Sequence, residues 1–241
     1  MNILEIIAAR RTGQHAIISW IVRNLTDMQL RLQDEGGAFK LEYVNKKLVF
    51  WNDANCDQEF GLNLYRELGW GEGLENLIIN YEDSKHNYSF FCENEIYKGP
   101  LSYFRHNDIN VKNGQRLLLI RNFYNCISSR YNSRTKPRID EIFINTWKDN
   151  AKYAIKNPLL SLKFEDWLSN DEKRKQILYD YFRIYERVDP TQVSGRLSSF
   201  DNKNYNDRYD SNLPENIKEL IRKDTELHYL MGALGYEYKE I

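Results

Sequence analysis

The feature that most constrains the fold lies near the start of the chain, where an apolar run leads through a basic turn into an amphipathic segment. The run from Ile3 to Ala8 is predominantly apolar, which is typical of a parallel strand buried on both faces. From about Gln14 to Leu25, apolar residues recur at near-helical spacing. The stretch therefore predicts a buried strand, a tight turn and a helix.

The turn between this strand and helix predicts an anion site. It contains Arg10, Arg11, Thr12 and Gly13, at the point where the helix begins. The first N–H groups of a helix have no partner within it, and the helix dipole favours negative charge at that end. Arginines add bidentate hydrogen bonds to phosphate or sulfate. The alternative is a structural strand, turn and helix whose arginines are solvated.

The turn differs from the phosphate loop of ATP-using enzymes. Those enzymes carry Gly-Lys-Ser/Thr, in which the lysine reaches the outer phosphates and the hydroxyl holds magnesium. Here Gly13 is followed by Gln14 and His15. The turn is therefore poorly equipped for magnesium-dependent phosphoryl transfer, although its backbone and guanidinium groups suit a nucleotide phosphate.

Composition narrows the class of protein. A chain of 241 residues predicts a single domain, 1–241. The 34 basic and 35 acidic residues give no overall field that would recruit nucleic acid or an anionic membrane. The three cysteines lack metal-ligand spacing, and no apolar run is long enough to span a membrane. No basic leader precedes the first strand. We expect a cytoplasmic protein without a metal or membrane insertion.

Later segments alternate between strand and helix patterns. Strands are predicted within 41–51 as a hairpin and at 77–81, 116–120 and 159–164. Helices are predicted at 57–68, 142–155 and 169–185, the last with a capping box of Ser169 and Glu172, and again from Pro214. This alternation predicts an α/β fold in three layers, with a central parallel sheet flanked by helices.

Charged side chains follow two of the predicted strands. Glu82 and His86 come after the strand at 77–81, and Arg121 follows the strand at 116–120. Ligands of open parallel sheets bind beyond these strand ends, so Glu82 is a candidate general base. Its alternative role is a helix cap or a contact that stabilises the loop. Ser129 lies eight residues after Arg121, with the start of a helix between them, and this spacing lets both side chains reach one phosphate.

Taken together, these motifs resemble those of the sulfotransferases that use 3′-phosphoadenosine 5′-phosphosulfate (PAPS). The turn at 11–15 is similar to the family's loop for the 5′-phosphosulfate, with Arg11 on the basic position and Thr12 on the hydroxyl position. Arg121 and Ser129 match the family's 3′-phosphate signature. Two further stretches resemble the family's Tyr-Glu-Asp-Leu strand end and its C-terminal 3′-phosphate loop: 163–168 and 195–200.

The resemblance implies a P-loop-like sulfotransferase topology, PAPS as co-substrate, 3′-phosphoadenosine 5′-phosphate (PAP) as product, and no metal. Glu82 would take the proton of a hydroxyl or amine acceptor, with His86 as the alternative base. Arg11, helped by Thr12 and His15, would stabilise the leaving 5′-phosphate, and adenine would stack near Phe164 or another ring. The nucleotide-binding residues implied are Arg10, Arg11, Thr12, Gly13, Gln14, His15, Arg121, Ser129, Phe164, Arg196, Leu197 and Ser198.

The chain also departs from the family pattern. Gln14 and His15 replace small hydroxyl residues, and Asn80-Tyr81-Glu82 stands where the family usually has Lys-Thr-His. Two alternatives therefore stay open: a P-loop nucleotide or nucleoside kinase, and a non-catalytic nucleotide-binding relative. The expected partner is a small-molecule or carbohydrate acceptor.

Overall fold

Six strands of the chain form one sheet in the computed structural model. The residues described are 2–9, 12–25, 43–45, 48–52, 76–82, 113–131, 139–169, 171–190 and 213–238. The strands are β1 (Asn2–Ala8), β2 (Tyr43–Asn45), β3 (Leu48–Asn52), β4 (Asn76–Glu82), β5 (Asn113–Ile120) and β6 (Ser161–Lys163). Their order across the sheet is β2-β3-β4-β1-β5-β6. All neighbours are parallel except the hairpin pair β2 and β3, which confirms the predicted hairpin and parallel sheet.

Helices follow the strands within the described ranges. They are α1 (Gln14–Leu25), α2 (Phe123–Tyr131), α3 (Glu141–Lys156), α4 (Phe164–Ser169), α5 (Asp171–Phe182), α6 (Glu215–Lys223) and α7 (Thr225–Ala233). The bounds of α1 are those predicted from the sequence. None of these helices is both long and apolar enough to cross a membrane. The helix predicted at 57–68 lies outside the described residues.

The first strand lies inside the sheet, and both of its faces are apolar except at Glu5, which is buried and pairs with Arg116 at 3.3 Å. Leu4 and Ile6 pack into a core formed with α1, α4 and α5, whereas Ile7 and Ala9 pack into a second core formed with α2, α3, α6 and α7. Residues of β5 alternate between the same two cores. The sheet is therefore covered by helices on both faces, which confirms the α/β class.

Four local expectations were wrong. Residues 158–160 form a short 3-10 turn instead of the start of a strand, because Pro158 has no N–H for a ladder. Ser169 is the last residue of α4 and donates its hydroxyl to the Glu165 carbonyl, so it caps no following helix. The terminal helix is divided into α6 and α7, where the Asp224 carboxylate accepts from the Leu227 N–H and caps α7. The helix predicted at 169–185 ends earlier, as α5 at Phe182, and the next residue, Arg183, has a φ of +58°.

Candidate functional site

The opening turn brings the end of β1 to the start of α1 through a glycine. The Thr12 N–H donates to the Ala9 carbonyl at 3.1 Å, and the N–H groups of Ala16 and Ile17 donate to the Gly13 carbonyl. Gly13 has a φ of +91°, in the left-handed region that disfavours any residue with a Cβ. A Cβ at this position would also overlap the ring of Phe164. Glycine is therefore required here for two reasons: the positive φ, and the space that the Phe164 ring occupies.

Two described side chains of the turn are buried. The Thr12 hydroxyl donates to Gln14 Oε1 at 3.0 Å. The expected contacts of Thr12 and Gln14 with the ligand stay predictions. The amides that precede Ala16 lie at the open end of α1, and the first turn of α1 has no acidic residue. Within the described residues, the turn therefore offers an anion its backbone and the helix dipole.

Arg121 lies on the same edge of the sheet, one strand away. Ala8, at the end of β1, is in register with Leu119 of β5, two residues before Arg121. The Arg121 side chain is buried, and its Cζ lies 4.9 Å from the centroid of the Phe164 ring. Since that ring also fills the space above Gly13, one aromatic side chain joins the opening turn to the β5 exit.

Phe164, near which adenine was expected to stack, packs inside the protein. The ring has no exposed surface, and besides Gly13 and Arg121 it packs on Trp167, with ring centroids 5.4 Å apart. Phe164 therefore contacts both parts of the site, the opening turn and Arg121. The expected stacking of adenine near this or another ring stays a prediction.

The backbone at the β5 exit is held by side chains from two helices. The Arg121 carbonyl accepts a hydrogen bond from Trp147 Nε1 at 3.0 Å, and the Asn122 N–H donates to Glu165 Oε1 at 3.1 Å. Asn122 Oδ1 in turn accepts from the N–H groups of Tyr124 and Asn125, at 3.0 and 3.4 Å. Asn122 thus caps the start of α2.

Glu165 also binds a residue near the end of the described chain. Its Oε2 accepts from the Tyr236 hydroxyl at 2.9 Å. Burial and the adjacent Glu165 carboxylate raise the pKa of Tyr236 well above its usual value. The sequence analysis included Glu165 in the stretch 163–168, which resembles the family's Tyr-Glu-Asp-Leu strand end, and it gave Trp147 and Tyr236 no role at the site. An acid that follows a strand on the same sheet edge as Arg121 was the available signal for Glu165.

The other predicted site residues are described only in part. The backbone of Glu82 ends β4 in register with Ala8, so it adjoins the opening turn on the side opposite Arg121. His15 lies in the first turn of α1, and Ser129 is half-buried near the end of α2. Six predicted residues lie outside the described ranges: Arg10, Arg11, His86, Arg196, Leu197 and Ser198. Within those ranges, no three His, Cys, Asp or Glu residues are grouped to hold a metal.

No family model matches the chain, and no curated protein matches it. The chain is similar to a solved sulfotransferase domain from the curacin biosynthetic pathway, and the alignment covers 99% of both chains. The two chains are 11% identical, with a TM-score of 0.43. The assignment of a function therefore depends on the site itself.

Proposed function

We propose that the chain is a sulfotransferase that moves a sulfuryl group from PAPS to a hydroxyl or amine of a small-molecule or carbohydrate acceptor. The observation that supports this most directly is the convergence of Gly13 and Arg121 on one buried ring, Phe164. A backbone anion site and a guanidinium thus share one edge of the sheet. The central place of β1, whose exit turn leads into a helix N-terminus, supports the P-loop-like topology.

The two parts of the site suit the two ends of one nucleotide. The opening turn, with Arg11, binds the 5′-phosphosulfate through backbone amides, the helix dipole and a guanidinium. Arg121 and Ser129 bind the 3′-phosphate, with the loop residues Arg196 and Ser198 closing over it. A guanidinium is always charged and presents a planar fork of donors, which matches a phosphate.

The chemistry proposed is an in-line displacement at sulfur. The acceptor oxygen or nitrogen attacks sulfur as the bond from sulfur to the 5′-phosphate oxygen breaks. Glu82 takes the acceptor's proton, with His86 as the alternative base. Arg11 and His15 stabilise the charge that grows on the leaving phosphate, and Thr12, whose hydroxyl binds Gln14, helps by holding the shape of the turn. The register of Glu82 with Ala8 supports this role, because adjacent strands lie roughly 4.8 Å apart.

The first experiment is a calorimetric titration with PAP. We expect Arg121→Ala to weaken PAP binding roughly 30- to 100-fold, since loss of a charge-assisted pair costs about 2–3 kcal/mol. The matched control is Arg222→Ala on α6, where the guanidinium is exposed and pairs with Glu215. Its affinity should stay within about twofold of the unaltered chain. Failure of the unaltered chain to bind PAP would contradict the proposal.

The second experiment measures turnover as PAP release from PAPS with a panel of hydroxyl and amine acceptors. Glu82→Gln should retain PAP binding and lower turnover by about 100-fold or more. Glu172→Gln, an exposed acid on α5, is the matched control and should behave as the unaltered chain. Normal turnover of Glu82→Gln would transfer the base role to His86. PAP binding without any transfer would favour the non-catalytic relative, and magnesium-dependent ATP turnover would favour the kinase.

A further inference from the structure

We infer that Glu165 and Tyr236 are positioning residues, which hold the β5 exit so that Arg121 is aligned for the 3′-phosphate. The inference rests on the proposed function. It assigns a role in the nucleotide site to a residue that is far from that site in sequence: Tyr236 lies 115 positions after Arg121.

The argument begins with one peptide group. The carbonyl of Arg121 and the N–H of Asn122 belong to the same peptide plane. Trp147 of α3 donates to that carbonyl at 3.0 Å, and Glu165 of α4 accepts from that N–H at 3.1 Å. Because a trans peptide is planar, two bonds on its opposite sides prevent its rotation. The two bonds therefore hold the backbone from which the Arg121 side chain extends toward Phe164.

Glu165 is itself fixed at both oxygens. Oε1 accepts from Asn122, and Oε2 accepts from the Tyr236 hydroxyl at 2.9 Å. A carboxylate held by two donors loses the rotational freedom that a single hydrogen bond would leave. Since burial and the Glu165 charge raise the pKa of Tyr236, its hydroxyl keeps its proton and stays a donor at neutral pH.

Tyr236 is placed by the end of α7. Gly235 has a φ of +78°, and its N–H donates to the Gly232 carbonyl at 2.9 Å. The Tyr236 N–H donates to the Met231 carbonyl, also at 2.9 Å. These two bonds form the Schellman motif that ends many helices with glycine in the left-handed region. The motif orients Tyr236 toward α4, and the chain of contacts runs from α7 through Tyr236 and Glu165 to Arg121.

The test compares two nucleotides that differ by one phosphate. PAP carries the 3′-phosphate, whereas AMP keeps only the 5′-phosphate. Glu165→Ala should weaken PAP binding about 10- to 50-fold and AMP binding less than about threefold, because only the Arg121 part of the site loses alignment. Tyr236→Phe should weaken PAP binding about three- to tenfold. Glu165→Gln should stay within about threefold, because its amide oxygen still accepts from Asn122.

Matched controls and a double variant separate positioning from stability. Glu172→Ala and Tyr229→Phe alter exposed residues of α5 and α7, and both should bind PAP as the unaltered chain does. In the Arg121→Ala background, Glu165→Ala should change PAP affinity less than about twofold, since the residue it positions is gone.

Two kinds of result would overturn the inference. Equal losses for PAP and AMP, or a full further loss in the Arg121→Ala background, would mean a general structural role. Normal PAP binding by folded Glu165→Ala and Tyr236→Phe would end the inference while Arg121→Ala still supports the proposed function. If Glu165→Ala does not fold, Tyr236→Phe decides. Absence of PAP binding by the unaltered chain would instead remove the proposed function, and the inference with it.

Discussion

The exits of β1 and β5 lie side by side on one sheet edge, yet they are built in opposite ways. At the β1 exit the backbone turns through a glycine, and the side chains of Thr12 and Gln14 bond to each other inside the protein. At the β5 exit the backbone is bound by the side chains of Trp147 and Glu165, and Asn122 caps the following helix. Among the described residues, the β1 exit offers a ligand its backbone amides, whereas the β5 exit offers the side chain of Arg121.

This difference shows two physical routes to an anion site. A backbone site needs a residue without a Cβ, since amides of a tight turn approach a ligand closely only when no side chain intervenes. A side-chain site needs a backbone that does not move, because a small rotation at the Cα of an arginine displaces the guanidinium at the end of its long side chain by a larger distance. Substitutions at the two exits should therefore impair the protein for different reasons: a changed backbone turn at the β1 exit, and a misaligned Arg121 side chain at the β5 exit.

The largest effect is expected at the opening turn. Gly13→Ala should lower the free energy of unfolding by about 2–5 kcal/mol, because it combines an unfavourable positive φ with overlap on the buried Phe164 ring. Urea denaturation measures the change. The control is Gly232→Ala in α7, where a new Cβ meets no described atom within 4 Å. That substitution should stabilise the protein by about 0.5–1 kcal/mol.

The Gly13 prediction has an internal test through the ring. In the double variant Gly13→Ala with Phe164→Ala, the overlap disappears and only the backbone strain remains. The combined loss should therefore be smaller than the sum of the two single losses. Strict additivity would contradict the contact between the ring and the turn.

Alkaline pH tests the β5 exit through its tyrosine. Burial and Glu165 raise the pKa of Tyr236, and burial, with smaller effects of Asp180 and Tyr153, raises the pKa of Tyr181 to about 12. The unfolded chain releases these protons from about pH 10, whereas the folded chain keeps them. Stability should therefore fall as the pH rises above 10, by up to about 1.4 kcal/mol per pH unit for each tyrosine.

Single tyrosine variants assign that slope. Tyr236→Phe and Tyr181→Phe should each flatten the fall in stability above pH 10, measured by urea denaturation between pH 8 and 11.5. Tyr229→Phe on the exposed face of α7 should leave it unchanged. An unchanged slope in Tyr236→Phe would contradict the buried bond to Glu165.

A pair of buried tryptophans isolates the hydrogen bond to the Arg121 carbonyl. Trp147 Nε1 donates to that carbonyl, whereas Trp167 Nε1 has no hydrogen-bond partner among the residues that the structure describes. Both rings are almost fully buried. Trp147→Phe should therefore cost about 1–3 kcal/mol more in unfolding free energy than Trp167→Phe. Equal losses would mean that the bond has no net effect.

The smallest effect concerns the helix caps. Asn122→Ala should destabilise the fold by about 1 kcal/mol, the usual cost of a lost N-cap. Asp140→Ala removes the cap of α3, where the carboxylate accepts from the Phe143 N–H at 3.0 Å, and should cost about the same. Only Asn122→Ala should also weaken PAP binding, because only that cap adjoins Arg121. Equal PAP affinities in the two variants would contradict the positional role of the β5 exit.

The parts of the fold that sequence predicted well are those set by local patterns. The run from Ile3 to Ala8 predicts a central strand because burial on both faces leaves room for few polar residues. The start of α1 follows from the turn before it. The same kind of local pattern gave a wrong prediction around Leu159. Its apolar run suggests a strand, but Pro158 has no N–H to donate to a neighbouring strand, and Leu159 is 92% exposed.

The parts that sequence could not predict depend on contacts between distant residues. Nothing local to Phe164 indicates that its ring occupies the space above Gly13, 151 positions earlier in the chain. Likewise, the two bonds of Glu165 link three segments that have no shared periodicity. Sequence indicates which residue types gather at the strand exits, whereas their partners follow only from the packed structure.

The central place of β1 has a consequence for how the chain acquires its fold. Its two neighbours are β4 and β5, which begin at Asn76 and Asn113. During synthesis, this largely apolar strand is therefore made well before either of the strands that will pair with it. Such long-range pairing slows folding and prolongs exposure of apolar surface. Refolding rates should thus depend more on the pairing of β4 and β5 with β1 than on the formation of the turn between β1 and α1.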